Sequence, residues 1–238
     1  MGVPGRTPKV GKCFPPLHLG SLSSLRSTPM VSTMRLTSDF DRITSNVAIW
    51  HGYDSAVKAE LYSTYLITTD GSYLIDPILL ENEALNELIG SPRVAGIIVT
   101  NCNHHRAYTR FAERFSAPVF GHGETFSDQT PREFKRVGDD DQVCEALTVI
   151  GIEGAAAGEI ALHYAPNGGT LIIGDALINF EPYGFTFLPA KYCSNEKEMR
   201  RSLRKLLRYK ADRMLFAHGS PILSGARDRL QALLDSDA

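Results

Sequence analysis

The sequence predicts a mixed α/β protein in which runs of strands alternate with helices. Two observations indicate this class. β-branched and aromatic runs of strand length recur from residue 40 to residue 222, and the segments between several of them repeat their apolar residues at helical spacing. In order along the chain, a strand-rich half is followed by a pair of helices, and this order is then repeated once.

The first half opens with extended runs and a hairpin. Residues 40–50 (FDRITSNVAIW) and 61–77 (LYSTYLITTDGSYLIDP) are rich in β-branched and aromatic residues. Asp70 and Gly71 separate two apolar runs, and an Asp-Gly pair in this position is a strong hairpin signal. A helix is then predicted over residues 79–90, because its leucines repeat at mostly helical spacing and Gly90 is a typical helix-ending residue.

A strand, a polar loop and a second helix complete the first half. The apolar run at residues 93–100 (RVAGIIVT) has the length of a strand. The following helix is predicted from the four-residue recurrence of Ala107, Phe111 and Phe115.

The second half is predicted to form another sheet and another helix pair. Three strand-like runs cover residues 146–152, 159–166 and 169–177, with glycines between them. Asn195 and Glu198 have capping-box spacing, which predicts that a helix opens at Asn195. The chain then ends with a strand that starts at residue 213 and ends at His218, and with a helix over residues 226–234.

Composition bounds the function classes. The chain has 238 residues, 43% of them hydrophobic, and a formal net charge of -2. A basic surplus usually marks nucleic-acid binders, and no apolar stretch reaches the roughly 18 residues of a membrane span. We therefore expect no nucleic-acid partner and no membrane partner. A small-molecule ligand or substrate is the expected partner, and composition leaves the oligomeric state open.

Residues 1–35 differ from the rest of the chain. They are basic, rich in Pro, Gly and Ser, and contain no acidic residue. We expect residues 1–35 to be a disordered leader, or to precede the true translation start. A single domain is expected over residues 36–238. The four cysteines are widely spaced, which favours reduced thiols and a cytoplasmic protein, while targeting to an organelle by residues 1–35 stays open.

Five stretches, taken together, carry a family resemblance. They are LIDP (74–77), IIVTNCNHHRA (97–107), GAAAGEIAL (154–162), GDAL (174–177) and AHGSPI (217–222). In this order they resemble the metallo-β-lactamase superfamily, whose fold is a four-layer αββα sandwich. The resemblance implies metal ions held by His and Asp side chains on loops at one edge of the sandwich, where they activate water for hydrolysis.

The resemblance also shows how far the metal motif has changed. The family motif T-H-x-H-x-D-H starts at Thr100, so its first two histidines fall on Asn101 and Asn103. Its Asp falls on His105 and its last His on Arg106, while a later ligand position is Ala155. Only two ligand positions keep the family residue, and these are Asp175 and His218.

At most one metal site is expected to remain. The first metal site of the family would have Asn101, Asn103 and Ala155 in place of three imidazoles. An amide is a poor zinc ligand, so we expect this site to be lost. His105, Asp175 and His218 are the predicted ligands of one divalent cation (zinc, iron or manganese). His104 ranks below His105, because the motif places His105 at a ligand position and two neighbouring side chains in extended backbone cannot both face the pocket.

Two hypotheses stay open. In the first, the chain is a metal-dependent hydrolase of an ester, thioester, amide or phosphoester, and Asn101 or Asn103 stabilises the developing oxyanion. In the second, it is a non-catalytic binding module without a metal. In that case Arg106, which cannot coordinate a cation, pairs with Asp175 in the metal position.

Overall fold

Two β-sheets lie face to face at the centre of the computed structural model, which describes residues 36–90, 92–127 and 129–236. The expectations for residues 1–35 lie outside the described residues. The first sheet has seven strands whose spatial order follows the chain order. They are β1 (Asp41–Thr44), β2 (Val47–Asp54), β3 (Ala59–Thr68), β4 (Gly71–Ile75), β5 (Val94–Ile98), β6 (Val119–Gly121) and β7 (Phe134–Arg136).

The second sheet has five strands, and a separate hairpin precedes its last one. The first four strands of this sheet along the chain are β8 (Gln142–Cys144), β9 (Leu147–Gly151), β10 (Ile160–Tyr164) and β11 (Thr170–Ile173). The hairpin follows with β12 (Leu177–Phe180) and β13 (Gly184–Phe187). The fifth strand of the sheet is β14 (Arg213–Phe216). The strand order is β14-β11-β10-β9-β8, and β14 runs parallel to β11.

Among the described residues, four α-helices cover the outer faces of the two sheets. They are α1 (Asn82–Ile89), α2 (Tyr108–Phe115), α3 (Glu196–Leu203) and α4 (Ala226–Asp235). Short 3-10 helices occupy Gly123–Phe126, Ala190–Tyr192 and Arg204–Arg208. In the described part of the chain, no helix has the length and apolar character needed to cross a bilayer.

Three apolar clusters define the layers. One lies between the sheets and joins residues such as Ile75 and Ile98 to Leu162 and Leu215. A second packs α1 and α2 on the outer face of the first sheet, and the third packs α3 and α4 on the outer face of the second sheet. Helices, sheet, sheet and helices therefore follow one another, which confirms the predicted αββα sandwich.

Local signals in the sequence account for several element boundaries. β3 and β4 pair as the predicted hairpin, with Thr68 opposite Gly71. Gly90, with a φ of 53°, ends α1 as predicted, and the Asn195 side chain accepts a hydrogen bond from the Glu198 backbone N–H at the start of α3. α1 begins at Asn82 instead of residue 79.

The fold gathers four polar loops at one edge of the sandwich. β4 and β5 run parallel in the first sheet, as do β11 and β14 in the second. Their carboxyl ends are followed by Asp76, by the loop from Thr100 to Arg106, by Asp175 and by His218. Residues that are distant in the chain therefore meet at this edge.

Candidate metal centre

Two histidines and an aspartate converge where these loops meet. His104 Nε2 lies 3.0 Å from Asp175 Oδ1, and His218 Nε2 lies 3.3 Å from the same oxygen. The two Nε2 atoms are 3.3 Å apart. In a tetrahedral zinc shell with bonds of about 2.0–2.2 Å, ligand atoms are separated by about 3–3.5 Å. The donor types and their spacing therefore fit one divalent cation.

A second carboxylate orients His104 from behind. Asp76 Oδ2 lies 2.9 Å from His104 Nδ1, and the Thr100 hydroxyl lies 2.8 Å from the same nitrogen. Asp76 also accepts hydrogen bonds from the Thr100 backbone N–H at 2.8 Å and from its hydroxyl at 2.6 Å. A carboxylate on the outer nitrogen of a histidine is the usual support of a metal ligand, because it fixes the tautomer and turns the other nitrogen inward.

The electrostatics of the cluster follow from its burial and its two carboxylates. Burial disfavours the charged form of His104, but Asp175 and Asp76 outweigh this effect and raise its pKa to about 9. Burial also opposes ionisation of Asp175, yet the adjacent histidines hold its pKa well below the usual range. Burial lowers the pKa of His218. Without a metal, the cluster therefore holds a proton on His104 at neutral pH.

His105, the histidine that the motif favoured, lies outside the cluster. Its Nε2 is 2.8 Å from the Thr125 carbonyl oxygen, and its ring stacks on Phe126 at 5.0 Å. The chain turns tightly here: the His104 N–H donates to the Asn101 carbonyl and the Tyr108 N–H to that of His105. This turn directs His104 inward and His105 towards the aromatic side chains, so His104 replaces His105 in the predicted ligand set.

Arg106 does not form the predicted pair with Asp175. Within the described chain, its guanidinium donates to three backbone carbonyls, those of Tyr62 at 2.5 Å, Asp76 at 3.0 Å and Ala217 at 3.3 Å. The backbone of Arg106 is left-handed, with a φ of 41°. Arg106 therefore links β3 to the residues that follow β4 and β14 instead of pairing with Asp175.

The two asparagines at the former ligand positions have different environments. Asn101 is fully buried, and its Nδ2 donates to Glu159 Oε2 at 2.6 Å. Asn103 is exposed, and its Nδ2 donates to Asp175 Oδ2 at 3.1 Å. Ala155 is buried in the apolar cluster beneath α3. Asn103 is thus the asparagine that solvent and a ligand can reach.

Glu159 is part of this network, although no feature of the sequence led us to select it. It is 4% exposed, and its Oε1 accepts from the backbone N–H groups of Asp175 at 2.7 Å and Ala176 at 3.1 Å. Burial and then the Asp175 carboxylate raise its pKa to about 8. Its one signal in the sequence is a charged residue directly before the mostly apolar β10.

The cluster is open to solvent from one side. The His104 side chain is 2% exposed, that of Asp175 10% and that of His218 20%. Within residues 36–90, 92–127 and 129–236, these three residues form the one group of three or more His, Cys, Asp or Glu side chains with metal-ligand spacing. The side of His218 and Asn103 is therefore the side from which a ligand can reach the cluster.

Comparison with known proteins identifies the family of the chain. A model of the metallo-beta-lactamase superfamily matches residues 42–236. No curated protein sequence matches the chain.

Solved structures share the fold at low sequence identity. The DIM-1 metallo-beta-lactamase superposes with a TM-score of 0.68 at 12% identity, covering 86% of this chain and 100% of that one. A metallo-beta-lactamase from Pontibacter korlensis gives 0.63 at 18% identity, covering 81% and 98%. A metallo-beta-lactamase family protein from Thermus thermophilus gives 0.61 at 19% identity, covering 82% and 80%.

Proposed function

The chain belongs to the metallo-beta-lactamase superfamily, and from this starting point we propose that it is a hydrolase that works with a single divalent metal ion. His104, Asp175 and His218 are the proposed ligands. The observation that carries the proposal is their mutual spacing of 3.0–3.3 Å between Nε2 and Oδ1 atoms. Zinc, iron and manganese all accept such a set of two nitrogens and one carboxylate oxygen.

Each residue has a distinct part in this proposal. A bound cation lowers the pKa of water and polarises a carbonyl or phosphoryl oxygen of the substrate. Asp76 and Thr100 keep His104 in the required tautomer. One N–H of the Asn103 amide donates a hydrogen bond to Asp175, and its second N–H can donate a hydrogen bond to a developing oxyanion. Asn101 is buried against Glu159, which leaves Asn103 as the candidate oxyanion donor.

The proposed chemistry limits the substrate to a group that activated water can attack, and the fold does not choose among such groups. Esters, thioesters, amides and phosphoesters all react by attack of activated water at a polarised centre, and one fold can serve any of them. The net charge of -2 gives no support to a nucleic-acid substrate.

Metal binding by matched histidine variants tests the proposal. We expect wild-type protein purified without chelator to bind about one equivalent of Zn²⁺ or Co²⁺, and His104→Gln to bind none at micromolar metal. His105→Gln keeps a hydrogen-bond donor for the Thr125 carbonyl and is expected to bind like wild type. Metal content by mass spectrometry and a Co²⁺ titration measure both variants. Hydrolysis of p-nitrophenyl esters, a thioester, a lactam and a phosphodiester is then compared with and without metal.

Two results would overturn the proposal. One is a wild-type protein that takes up no metal at equimolar Zn²⁺. The other is equal loss of metal in the His104 and His105 variants, which would place the site elsewhere.

A second candidate function rests on the position of His104, whose ring nitrogens lie 2.9 Å and 3.0 Å from the carboxylates of Asp76 and Asp175. Its pKa of about 9 means that an imidazolium between Asp76 and Asp175 supplies positive charge at this position when no cation does. A non-catalytic binding module could keep this arrangement and use the open side of the cluster for a small ligand. Absence of metal uptake, together with an NMR signal of a protonated His104 at pH 7, would favour this function.

A further inference from the structure

Four residues around Asp175 form a closed ring of hydrogen bonds. Glu159 Oε1 accepts from the Asp175 backbone N–H at 2.7 Å, and Glu159 Oε2 accepts from Asn101 Nδ2 at 2.6 Å. Asn101 Oδ1 accepts from the Asn103 backbone N–H at 2.8 Å, and Asn103 Nδ2 returns to Asp175 Oδ2 at 3.1 Å. We call this set of Glu159, Asn101, Asn103 and Asp175 the carboxylate ring.

The ring determines which oxygen of Asp175 faces the histidines. Asn103 occupies Oδ2, while Oδ1 lies 3.0 Å from His104 Nε2 and 3.3 Å from His218 Nε2. The carboxylate is therefore held with one oxygen towards the cluster and the other on an amide. A carboxylate held in this way offers one ligand atom to one cation.

Two members of the ring, Asn101 and Glu159, are buried groups with fixed roles. Asn101 is fully buried and Glu159 is 4% exposed. Asn101 must present its Nδ2 to Glu159, because its Oδ1 is used by the Asn103 N–H. Each buried donor in the ring then meets an acceptor, and losing one partner would leave a buried polar group unsatisfied.

We propose that Glu159 and Asn101 are positioning residues that, through Asn103, hold Asp175 as a one-oxygen ligand of a single metal ion. This inference rests on the proposed metal-dependent function. Neither residue touches the metal position itself. Their effect on metal binding is transmitted through the backbone N–H and the Oδ2 atom of Asp175.

An exchange of the charged and neutral partners tests the ring. Glu159→Gln places an amide N–H₂ against the Asn101 N–H₂, and Asn101→Asp places a carboxylate against the Glu159 carboxylate. In the double variant the Gln amide can donate to the Asp, and the Asp can still accept from the Asn103 N–H. The size and net charge of the pair are then the same as in wild type.

We expect each single variant to bind Co²⁺ at least about tenfold more weakly, the usual effect of losing a group that supports a ligand. The double variant should return to within about threefold of wild type. The measurements are made at alkaline pH, because burial and the Asp175 carboxylate raise the pKa of Glu159. Glu198→Gln, an exposed carboxylate on α3, is the matched control and should bind like wild type.

Asn103→Ala is a second variant that does not depend on folding of a buried site, because Asn103 is exposed. Freeing Oδ2 should let Asp175 bind through both oxygens and weaken the visible absorption of bound Co²⁺, since a higher coordination number gives fainter bands. A purely structural role for the ring would not change this spectrum.

The outcomes separate this inference from the proposed function. If wild type binds no Co²⁺, the proposed function fails and the positioning role falls with it. If wild type binds Co²⁺ but the single variants bind equally well, or if the double variant stays as weak as the weaker single variant, only the positioning role is overturned. An unchanged Co²⁺ spectrum in Asn103→Ala also overturns it.

Discussion

At the scale of single residues, Gly174 shows how closely the chain approaches the buried Glu159 carboxylate. A Cβ built at this position would lie 2.6 Å from Glu159 Oε1 and 2.8 Å from the Thr100 hydroxyl oxygen. Both oxygens are engaged in buried hydrogen bonds, so neither can move without losing a partner. The hydrogen bonds of Glu159 and Thr100 therefore require glycine at position 174.

We predict that Gly174→Ala lowers the free energy of unfolding by about 1–3 kcal/mol, the usual cost of inserting a methyl group into a packed interior. Urea denaturation of metal-free protein measures the change. Gly138→Ala is the control, because its added Cβ would meet only Asp141 Oδ2 at 3.8 Å, an ordinary contact. Equal stability of the two variants would contradict the close approach.

The residues of the site could be predicted only in part from the sequence. Asp175 and His218 were identified from the family resemblance, because they are the two ligand positions that keep the family residue. The choice between His104 and His105 depended on a turn closed by backbone hydrogen bonds and on the left-handed Arg106, and alternation in extended backbone does not apply there. Glu159 was missed because nothing in its sequence neighbours indicates that its side chain bonds to the loops that hold Asn101 and Asp175.

At the scale of elements, the side chains of β10 point alternately into the core between the sheets and to the opposite face of the second sheet. Ile160, Leu162 and Tyr164 face the cluster between the sheets. His163 points to the other face, where its Nε2 lies 2.9 Å from the Lys210 carbonyl oxygen. Burial lowers the pKa of His163 below its usual 6.5, so this strand carries a histidine that is neutral in the folded protein.

The lowered pKa of His163 predicts a pH dependence of stability. The unfolded chain takes up the proton at a higher pH than the folded protein, so stability is complete above about pH 6.5 and is lost as pH falls through the folded pKa. One such group changes the free energy of unfolding by at most about 1.4 kcal/mol per pH unit. His163→Gln, which keeps a donor for Lys210, should make the stability profile flatter below pH 6.5.

Urea denaturation at pH 5, 6 and 7 measures this difference. His51→Gln changes an exposed histidine and is the control. A His163→Gln profile that declines as steeply as wild type below pH 6.5 would show that His163 does not contribute to the loss.

Elements with strong local signals were predicted, and those that depend on pairing were not. The β3–β4 hairpin and the start of α3 follow from Asp70-Gly71 and from the Asn195 cap. β7, with the sequence FKR, is a strand only because it pairs with β6. The β12–β13 hairpin was also not predicted, because its residues have no regular alternation of buried and exposed side chains.

At the scale of the whole molecule, the candidate metal centre joins the two sheets. His104 belongs to the loop after β5 in the first sheet, whereas Asp175 and His218 follow β11 and β14 in the second. The αββα class could be predicted because long apolar runs and the family resemblance both indicate it. The contacts between the two halves could not, since they depend on how the sheets pack.

A cation bound across the sheets should stabilise the entire fold. We predict that Zn²⁺ at 100 times its dissociation constant raises the free energy of unfolding by about 2.7 kcal/mol, because it binds the folded chain alone. Thermal and urea unfolding with and without chelator measure the shift. His218→Ala should show no response to Zn²⁺, and an equal response in this variant would mean that the stabilising ion binds elsewhere.

Arg106 has a further consequence for how this edge of the protein tolerates change. The acceptors that its guanidinium meets at Tyr62, Asp76 and Ala217 are main-chain oxygens. Every amino acid supplies the same carbonyl group, so other side chains at positions 62 and 217 keep the acceptor as long as the backbone follows the same path. The arginine thus makes the architecture of this corner independent of the identity of two of the residues that it joins, leaving those positions open to evolutionary variation.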